Sequence, residues 1–291
     1  MNITISVPTH NCLNYTKLCV KSLFNNTNWN IKGLNPIRFL AIDNASVDGT
    51  KEWLIEESTK HYKFEVEFLD KNYGCARSYN TAFNSSKNDD IVIMINNDIV
   101  FSRDWLKNLL AFMELNPQCG VVSSHPIDNH ESMDTRLEWF GNLKENYWTY
   151  DLTCGMIKWL DYAKRVEDSE ASIVDEGVHG CLMAYRRECI DAVGLWDENF
   201  IKGYYDDLDW NYRCIRSGYG LATTRSSIIF HHGGTTSNYV TTHEGGNEFR
   251  WKNKAYFEQK WNVDINKIGA VCSRGLLWTH PSEGVNLRVE L

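Results

Sequence analysis

IVIMINNDIVF, residues 91–101, places two amides and a carboxylate directly after a run of five apolar residues. Such a run, rich in β-branched side chains, is typical of a buried strand. Asn96, Asn97 and Asp98 would then lie at the carboxyl edge of a sheet, where open α/β folds bind ligands. A carboxylate with amide neighbours suits a hard divalent cation that carries phosphate oxygens. Taken alone, the segment fits a strand ending in an ordinary polar turn equally well.

Strand-like and helix-like segments alternate around this stretch through the first 125 residues. The predicted strands are 3–8, 38–43, 64–69 and 91–95, and the predicted helices are 15–25, 49–60, 74–85 and 104–115. This alternation predicts an α/β fold with a mostly parallel, Rossmann-like sheet flanked by helices. The strands end in Thr9-His10-Asn11, Asp43-Asn44, Lys71-Asn72 and Asn96-Asn97-Asp98. Asn and Asp favour turns for their own reasons, but four such ends together predict a site for a polar, phosphorylated ligand.

Composition and charge narrow the class of protein. The chain has 291 residues, of which 43% are hydrophobic and 23% charged, as in ordinary soluble globular proteins. The net charge of −8, without a dense Lys/Arg cluster, argues against a nucleic-acid partner. The nine cysteines form no CxxC pair, which favours reduced thiols. Because we find no signal peptide and no apolar run near the ~20 residues of a membrane span, we expect a soluble cytoplasmic protein.

A second group of chemically active side chains lies between residues 179 and 237. Asp206, Asp207 and Asp209 open a predicted helix that Gly218 ends. The helix dipole stabilises carboxylates in a first turn, which would explain all three without a catalytic role. Asp206 and Asp207 are adjacent, however, and point in different directions. One can hold its position while the other faces a cleft as a candidate general base.

Two adjacent histidines, His231 and His232, follow the strand-like segment 227–230 and precede Gly233-Gly234. Glycines let the backbone approach a ligand closely, and imidazoles bind metals or phosphates. The pair therefore predicts a metal ligand or a phosphate contact. Neighbouring residues of a strand face opposite ways, so the sequence leaves open which histidine faces the site.

These segments together resemble the family 2 glycosyltransferases with the GT-A fold, in their rhamnosyltransferase-like Asn-Asn-Asp subgroup. The resemblance runs from Ile3 to about Trp261. Its motifs are, in order, SVPTHN (6–11), AIDNASVDGT (41–50), NYGCARSYN (72–80), INND (95–98), GLWDENFIKGYYDDLDWNYRCIRSGYG (194–220) and HHGGTTS (231–237). Each motif is loose, but six stand in the family's order. The chain departs from the pattern at Asn96, where the metal motif has Asp, and at Asp206, where a Glu-Asp pair has Glu.

The resemblance implies an inverting, metal-dependent transfer of a sugar from a UDP-, GDP- or dTDP-linked donor to a hydroxyl of a glycan or lipid-linked acceptor. It assigns donor binding to Pro8, Thr9, Asn11, Asp43, Asn72, Arg77, Asn96 and Asn97. It assigns Mn²⁺ or Mg²⁺ to Asp98 with His231 or His232, and the catalytic base to Asp207 beside Asp206. Residues 1–124 would bind the nucleotide-sugar, 125–240 the acceptor with the catalytic residues, and 241–291 would form a C-terminal helical extension.

Other functions stay open at this point. A nucleotidyltransferase would carry a Gly-rich, Lys/Arg-bearing loop after the first strand, and residues 8–12 form no such loop. A non-catalytic nucleotide-sugar-binding relative is disfavoured by the intact Asp98 and Asp206-Asp207. A glycosyltransferase that acts on a modified nucleic-acid base is disfavoured by the acidic balance.

Two segments allow more than one role. The stretch 125–176 is rich in aromatic and then acidic residues, and we expect most of its aromatic side chains in the core, with sugar stacking as the alternative. Asn247 to Trp261 predict an amphipathic helix. This helix would pack across the acceptor side, rest on the inner face of a membrane, or pair with another subunit in a homodimer.

Overall fold

A computed structural model of the chain describes residues 1–128, 173–174, 178, 180–244 and 246–265, followed by three short strands. Nearly all of the stretch 125–176 lies outside the described residues, and with it the question of core packing or sugar stacking for its aromatic side chains. Within the described ranges, none of the helices has both the length and the apolar character that crossing a bilayer requires.

The N-terminal half alternates strands and helices as predicted. Its elements are β1 (Ile3–Thr9), α1 (Leu13–Asn26), β2 (Arg38–Asn44), α2 (Thr50–Ser58), β3 (Phe64–Leu69), α3 (Cys75–Ser85), β4 (Ile91–Ile95), β5 (Ile99–Phe101), α4 (Trp105–Leu115) and β6 (Cys119–Asp128). The four predicted strands and four predicted helices are all present, with ends that differ by at most two residues. The short strand β5 was not predicted separately, because it follows β4 after only three residues.

The second half supplies the remaining walls of the site. Its elements are β7 (Ile173–Val174), β8 (Leu182–Arg186), α5 (Arg187–Val193), α6 (Asp206–Arg216), β9 (Gly220–His231), α7 (Thr235–His243), α8 (Glu248–Trp261), β10 (Ile268–Cys272), β11 (Gly275–Thr279) and β12 (Asn286–Arg288). The predicted helical extension is thus helical only to Trp261. Strands β10 to β12 then form a small antiparallel sheet. The short apolar runs after residue 262 are compatible with strands, and they lack the period of a helix.

One mixed sheet carries the candidate site. Its strands lie in the order β3-β2-β1-β4-β8-β6-β9-β5, with β7 paired to β9. Strands β1 to β4 are parallel to one another, while β8 lies antiparallel between β4 and β6. The sheet is therefore parallel on its N-terminal side and mixed beyond β4. Because β1, β2 and β4 are parallel, their polar C-terminal ends meet at one edge of the sheet.

Strand β4 is buried on both faces. Ile91, Ile93 and Ile95 pack into one hydrophobic cluster, and Val92 and Met94 into a second cluster on the other face. Successive side chains of a strand point to opposite faces, so a strand covered on both sides must be apolar throughout. This explains the continuous apolar run in the sequence and fixes the strand that presents Asn96 and Asp98.

Replacement of Ile93 by Ala should destabilise the protein by about 2–5 kcal/mol, because the lost methyl groups leave a cavity in a fully buried strand. Ile55 on α2 is 47% exposed and provides the matched control. Ile55→Ala should change the free energy of unfolding by no more than about 0.5 kcal/mol. Urea denaturation of both variants measures the difference. Equal losses would contradict the two-sided burial of β4.

Candidate active site

A cavity of about 620 Å³ lies at the carboxyl edge of the sheet, between the β4–β5 turn, the start of α6 and the β9–α7 loop. Six of the residues that the sequence analysis selected line it: Asn96, Asn97, Asp98, Asp206, Asp207 and His231. They come from three separate segments of the chain, at residues 96–98, 206–207 and 231. The fold thus gathers the predicted catalytic pair and most of the predicted metal ligands around one space.

Asp98 is almost completely buried, with 4% of its surface exposed. Its Oδ2 accepts a hydrogen bond of 2.9 Å from the Thr235 hydroxyl, and its Oδ1 lies 3.3 Å from Nε2 of His231. Burial alone raises the pKa of this carboxyl, but the histidine and the threonine outweigh it and bring the pKa to about 2. Asp98 is therefore ionised at neutral pH, as a ligand for a cation must be.

The two amides before Asp98 shape the turn that carries it. Nδ2 of Asn97 donates to the Thr16 hydroxyl at 3.0 Å, and its Oδ1 accepts from the Thr236 hydroxyl at 3.1 Å. The backbone N–H of Asn96 donates to the carbonyl of Cys181 at 2.8 Å. Asn97 thus ties the turn to α1 and α7, and Asn96 ties it to the strand beside β4.

The two adjacent histidines lie in different environments. β5 pairs with the end of β9, which sets His231 opposite Ile99 and its ring beside Asp98 at the cavity. The ring of His232 instead packs edge-on between Tyr15 and Phe230, at 5.0 and 4.9 Å between centroids. Burial lowers the pKa of His232 to about 4. Of the pair, His231 faces the cavity, and His232 contributes a backbone N–H to the Asp98 carbonyl at 3.0 Å.

Asp98 and His231 fit a divalent cation that shares its coordination with a bound ligand. Adjacent ligands of an octahedral ion with bonds near 2.1 Å lie about 3 Å apart, close to the 3.3 Å between Oδ1 of Asp98 and Nε2 of His231. In the described part of the chain, no group of three His, Cys, Asp or Glu residues could hold a metal alone. A cation at this position would take its other ligands from phosphate oxygens and water, as Mg²⁺ commonly does.

Asp206 and Asp207 begin α6 at the opposite wall of the cavity. Asp206 is 6% exposed, and burial together with the charge of Asp207 raises its pKa to about 7. Burial also raises the pKa of Asp207, which is only partly buried and accepts a 2.9 Å hydrogen bond from the Leu208 N–H. Two carboxyl groups this close do not readily ionise together. The pair retains a proton toward neutral pH, with the better solvated Asp207 favoured for the charge.

The segment 201–205, which we call the entry loop, leads into α6 along the cavity wall. Lys202, Gly203, Tyr204 and Tyr205 have φ angles of 63°, 117°, 70° and 67°. A left-handed conformation costs a residue with a side chain roughly 1–2 kcal/mol. Consecutive residues of this kind persist only where the surrounding structure determines them firmly. The fold therefore holds a strained segment directly before the acidic pair.

Six predicted donor-binding residues lie outside the cavity lining: Pro8, Thr9, Asn11, Asp43, Asn72 and Arg77. The first four occupy the neighbouring ends of β1 and β2. The Thr9 hydroxyl donates to Asp43 at 3.4 Å, and Asp43 also accepts from the Ser46 N–H at 3.1 Å. Oδ1 of Asn11 accepts from the Val47 N–H at 2.8 Å. These contacts hold the β1–α1 and β2–α2 loops together beside the cavity.

Asn72 and Arg77 bind later segments of the chain. Nε of Arg77 lies 2.9 Å from Oε2 of Glu198, and its guanidinium sits over the Tyr73 ring at 5.2 Å. Nδ2 of Asn72 donates to Oε2 of Glu244 at 3.3 Å. Both residues therefore connect the third strand end to the C-terminal half, and neither side chain lines the cavity.

Sequence reasoning missed three residues that shape this region. Oε2 of Glu244 lies 3.1 Å from Nζ of Lys202, and the same side chain contacts His10. His10 and Glu244 are 234 positions apart, so no local sequence pattern indicates their contact. Gly180 gives space to Asp207, because a Cβ there would lie 2.8 Å from its Oδ2. Thr235 could have been found, since it lies within the HHGGTTS motif, in which only the histidines were selected.

Comparison with known protein families identifies the family of this chain. Residues 4–194, more than half of the chain, match the family described as Glycosyl transferase family 2. The chain belongs to glycosyl transferase family 2. This confirms the family expected from the sequence motifs. The matched region includes the four parallel strand ends and Asp98, while α6 and the histidines follow it in the chain.

Solved glycosyltransferase structures share the fold of this family 2 member. The mannosyltransferase PcManGT from Pyrobaculum calidifontis, in complex with GDP-Man and Mn²⁺, has a TM-score of 0.58 at 18% identity, over 92% of this chain and 65% of that one. GalNAc-T7 with UDP, GalNAc and Mn²⁺ has a TM-score of 0.58 at 15% identity, over 90% and 50%. S. aureus TarS 1-349 has a TM-score of 0.54 at 13% identity, over 91% and 73%. These likenesses show the fold, which is the predicted GT-A fold.

Two curated relatives match this family 2 chain over part of their own length. An uncharacterized protein of Sinorhizobium fredii is 22% identical over 273 residues, which are 90% of this chain and 28% of the relative. An uncharacterized protein of Mycobacterium tuberculosis is 41% identical over 76 residues, 25% of this chain and 28% of the relative. The matched part of the chain thus spans about 28% of the length of each of these relatives.

Replacement of Asp206 by Asn should stabilise the protein more at pH 8 than at pH 4. An unfolded aspartate has a pKa near 3.9, and the folded pKa of Asp206 is about 7. Its stabilising contribution is therefore complete below about pH 4 and is lost as the pH rises through the folded pKa. Asn does not titrate, so the free energy of unfolding of Asp206→Asn should rise relative to wild type across this interval.

Urea denaturation at pH 4, 6 and 8 measures this difference. Asp191→Asn on α5 is the matched control, because the Asp191 side chain is 67% exposed. A difference between Asp206→Asn and wild type that stays constant with pH would contradict the raised pKa of Asp206.

Proposed function

We propose that this protein is an inverting, metal-dependent glycosyltransferase that moves a sugar from a nucleotide-diphosphate donor to a hydroxyl of a glycan or lipid-linked acceptor. The observation that carries the proposal is that the Asp98–His231 pair and the Asp206–Asp207 pair line one cavity. A single displacement needs a site for the leaving diphosphate and a base for the incoming hydroxyl within the same space. The two pairs supply these two functions.

The donor nucleotide would lie along the ends of β1, β2 and β4. Asp43 would accept hydrogen bonds from the base, while Thr9, Asn11 and Arg77 would lie along the nucleoside and diphosphate, with Asn96 at the cavity. The parallel strand ends support this placement, because ligands of open α/β sheets bind at that edge. The GDP-Man, UDP and UDP-GlcNAc complexes of structures with the same fold support the donor class.

Asp98 and His231 would hold Mn²⁺ or Mg²⁺, in agreement with the Mn²⁺ present in two of the similar structures. When bound, the cation would neutralise charge on the leaving diphosphate. Asp98 is prepared for this role because its carboxyl is buried yet ionised. His232 would support it through the backbone contact to Asp98 and not through its ring.

Asp207 would take the proton from the acceptor hydroxyl as that oxygen attacks the anomeric carbon. Its raised pKa strengthens it as a base, and its partial exposure leaves it accessible from the cavity. Asp206 would keep the shared proton on the buried side of the pair. A single displacement with one base inverts the anomeric configuration. No second catalytic carboxylate is required, because the diphosphate leaves without being protonated.

The cellular setting is part of the proposal. The Asn-Asn-Asp form of the motif favours a rhamnosyltransferase-like donor, and we place the enzyme in the cytoplasm in polysaccharide biosynthesis. Trp251 on α8 is 70% exposed beside the exposed Lys252, a combination that suits peripheral contact with the inner face of a membrane. The same face would serve a homodimer, and sedimentation with and without anionic vesicles distinguishes the two.

Incubation with Mn²⁺ and a panel of UDP-, GDP- and dTDP-sugars, with and without EDTA, tests the proposed reaction. We expect metal-dependent release of nucleotide from one donor. Asp207→Asn should lose transfer while it keeps most donor binding by calorimetry, because the base touches the acceptor. Asp98→Ala should lose both, because it removes the cation ligand. The exposed-site variant Asp191→Asn should behave as wild type, and a wild-type transfer rate in Asp207→Asn would refute the assignment of the base.

Substitution of Gly180 by Ala tests the position of the Asp207 carboxylate without changing its charge. The new Cβ would lie 2.8 Å from Oδ2, so the carboxylate has to move. A displacement of about 1 Å can lower a reaction rate by up to about a hundredfold. We expect a lower kcat with nucleotide affinity retained. Gly194→Ala is the control for the loss of a glycine, because the added Cβ would have no neighbour within 4 Å. Its backbone strain at φ +85° should lower the stability of the protein and leave kcat unchanged.

A further inference from the structure

Asn253 in the middle of α8 is 1% exposed, and all its described side-chain hydrogen bonds go to the entry loop. Its Nδ2 lies 2.7 Å from the carbonyl of Gly203, 2.9 Å from that of Ile201 and 3.2 Å from that of Tyr204. Its Oδ1 accepts a 3.0 Å hydrogen bond from the Ile201 N–H. One buried amide thus binds four backbone groups of a single loop.

The loop that Asn253 binds needs such a partner. Four consecutive residues, 202–205, have positive φ, and a chain in this conformation cannot pair its carbonyls in a regular helix or sheet. On its other side the loop is packed against the β3–α3 connection, since a Cβ on Gly74 would lie 2.6 Å from the backbone of Lys202. The entry loop is therefore fixed between the donor-side connection and α8.

We propose that Asn253 is a positioning residue for sugar transfer, which fixes the entry loop and so sets the carboxylates of Asp206 and Asp207 in the cavity. The catalytic consequence rests on the proposed function. Asn253 does not line the cavity, so it acts through the loop. Four loop residues, Lys202, Gly203, Tyr204 and Tyr205, line the cavity themselves, and the loop joins the acidic pair without an intervening residue.

The attachment of α8 to the rest of the protein does not depend on Asn253. Nζ of Lys260, two turns further along the helix, lies 2.7 Å from carboxylate oxygens of both Asp197 and Asp209. The Tyr256 hydroxyl donates to Asp197 at 2.9 Å. Because these contacts anchor the helix, the hydrogen bonds of Asn253 serve the conformation of the loop. Tyr256→Phe removes the hydroxyl contacts with Asp197 and Asn199 and none of the described contacts of Asn253 with the entry loop, and is the matched control.

Hydrogen exchange with mass spectrometry of Asn253→Ala measures the effect on the loop directly. We expect faster exchange in peptides that cover residues 198–206, with unchanged protection in β1 to β4. Tyr256→Phe should leave the entry loop, residues 201–205, as protected as in the wild type. Unchanged exchange of the entry loop in a folded Asn253→Ala protein would overturn the inference, whatever reaction the enzyme catalyses.

Kinetics separate positioning from binding. With the sugar donor that the wild type hydrolyses, Asn253→Ala should lower kcat about tenfold or more. The Kd for UDP, GDP or dTDP with Mn²⁺, whichever the wild type binds, should stay within about twofold. A loosened loop with wild-type kcat would overturn the positioning role. If the wild type turns over no donor, the proposed function fails, and the exchange experiment still decides whether Asn253 fixes the loop.

Gly203→Ala disturbs the same loop without touching α8, and it decides the matter if Asn253→Ala does not fold. Gly203 has φ +117°, which a residue with a Cβ rarely adopts, so the variant should shift the loop. We expect the same pattern of faster local exchange, lower kcat and retained nucleotide binding. A displaced loop with full transfer activity in this variant would overturn the inference.

Discussion

The buried carboxylate of Asp98 is the constraint on which the arrangement of the site depends. A charge without partners in the protein interior costs several kcal/mol, so the fold must bring partners from elsewhere in the chain. It does so with the pairing of β5 to β9, which carries His231 to one carboxylate oxygen, and with Thr235 at the start of α7, which binds the other. The β4–β5 turn, the end of β9 and the first turn of α7 are therefore one unit held around a single negative charge.

The same cavity contains carboxylates in opposite electrostatic states. His231 and Thr235 lower the pKa of Asp98, whereas burial raises the pKa values of Asp206 and Asp207, and the charge of Asp207 raises that of Asp206 further. Carboxyl groups whose environments separate their pKa values commonly have separate chemical roles. A permanently ionised Asp98 suits a cation ligand. A pair that binds protons more tightly than free aspartate suits the acceptance of a proton from an acceptor hydroxyl.

The sequence predicted the elements of the N-terminal half because their signals are local. A strand buried on both faces is apolar throughout, and polar side chains mark its end, as in residues 91–98. The antiparallel position of β8 between β4 and β6, and the pairing of β5 with β9, were not predictable. Strand pairing between distant segments has no local sequence pattern. For the same reason only the structure distinguishes His231 from His232, since the pairing with Ile99 decides which ring faces Asp98. The space that Gly180 leaves for Asp207 likewise exists only in three dimensions.

The matched family region ends at residue 194, and the acidic pair, His231 and α8 all follow it. The acidic pair must therefore be positioned by contacts that the family match does not describe. α8 provides such contacts, since it binds the strained entry loop through Asn253 and the start of α6 through Lys260 and Asp209. A loop held in an unfavourable backbone conformation adopts other conformations when the hydrogen bonds that hold it are lost. The loop that leads into the acidic pair is thus held by a side chain, Asn253, that does not itself line the cavity.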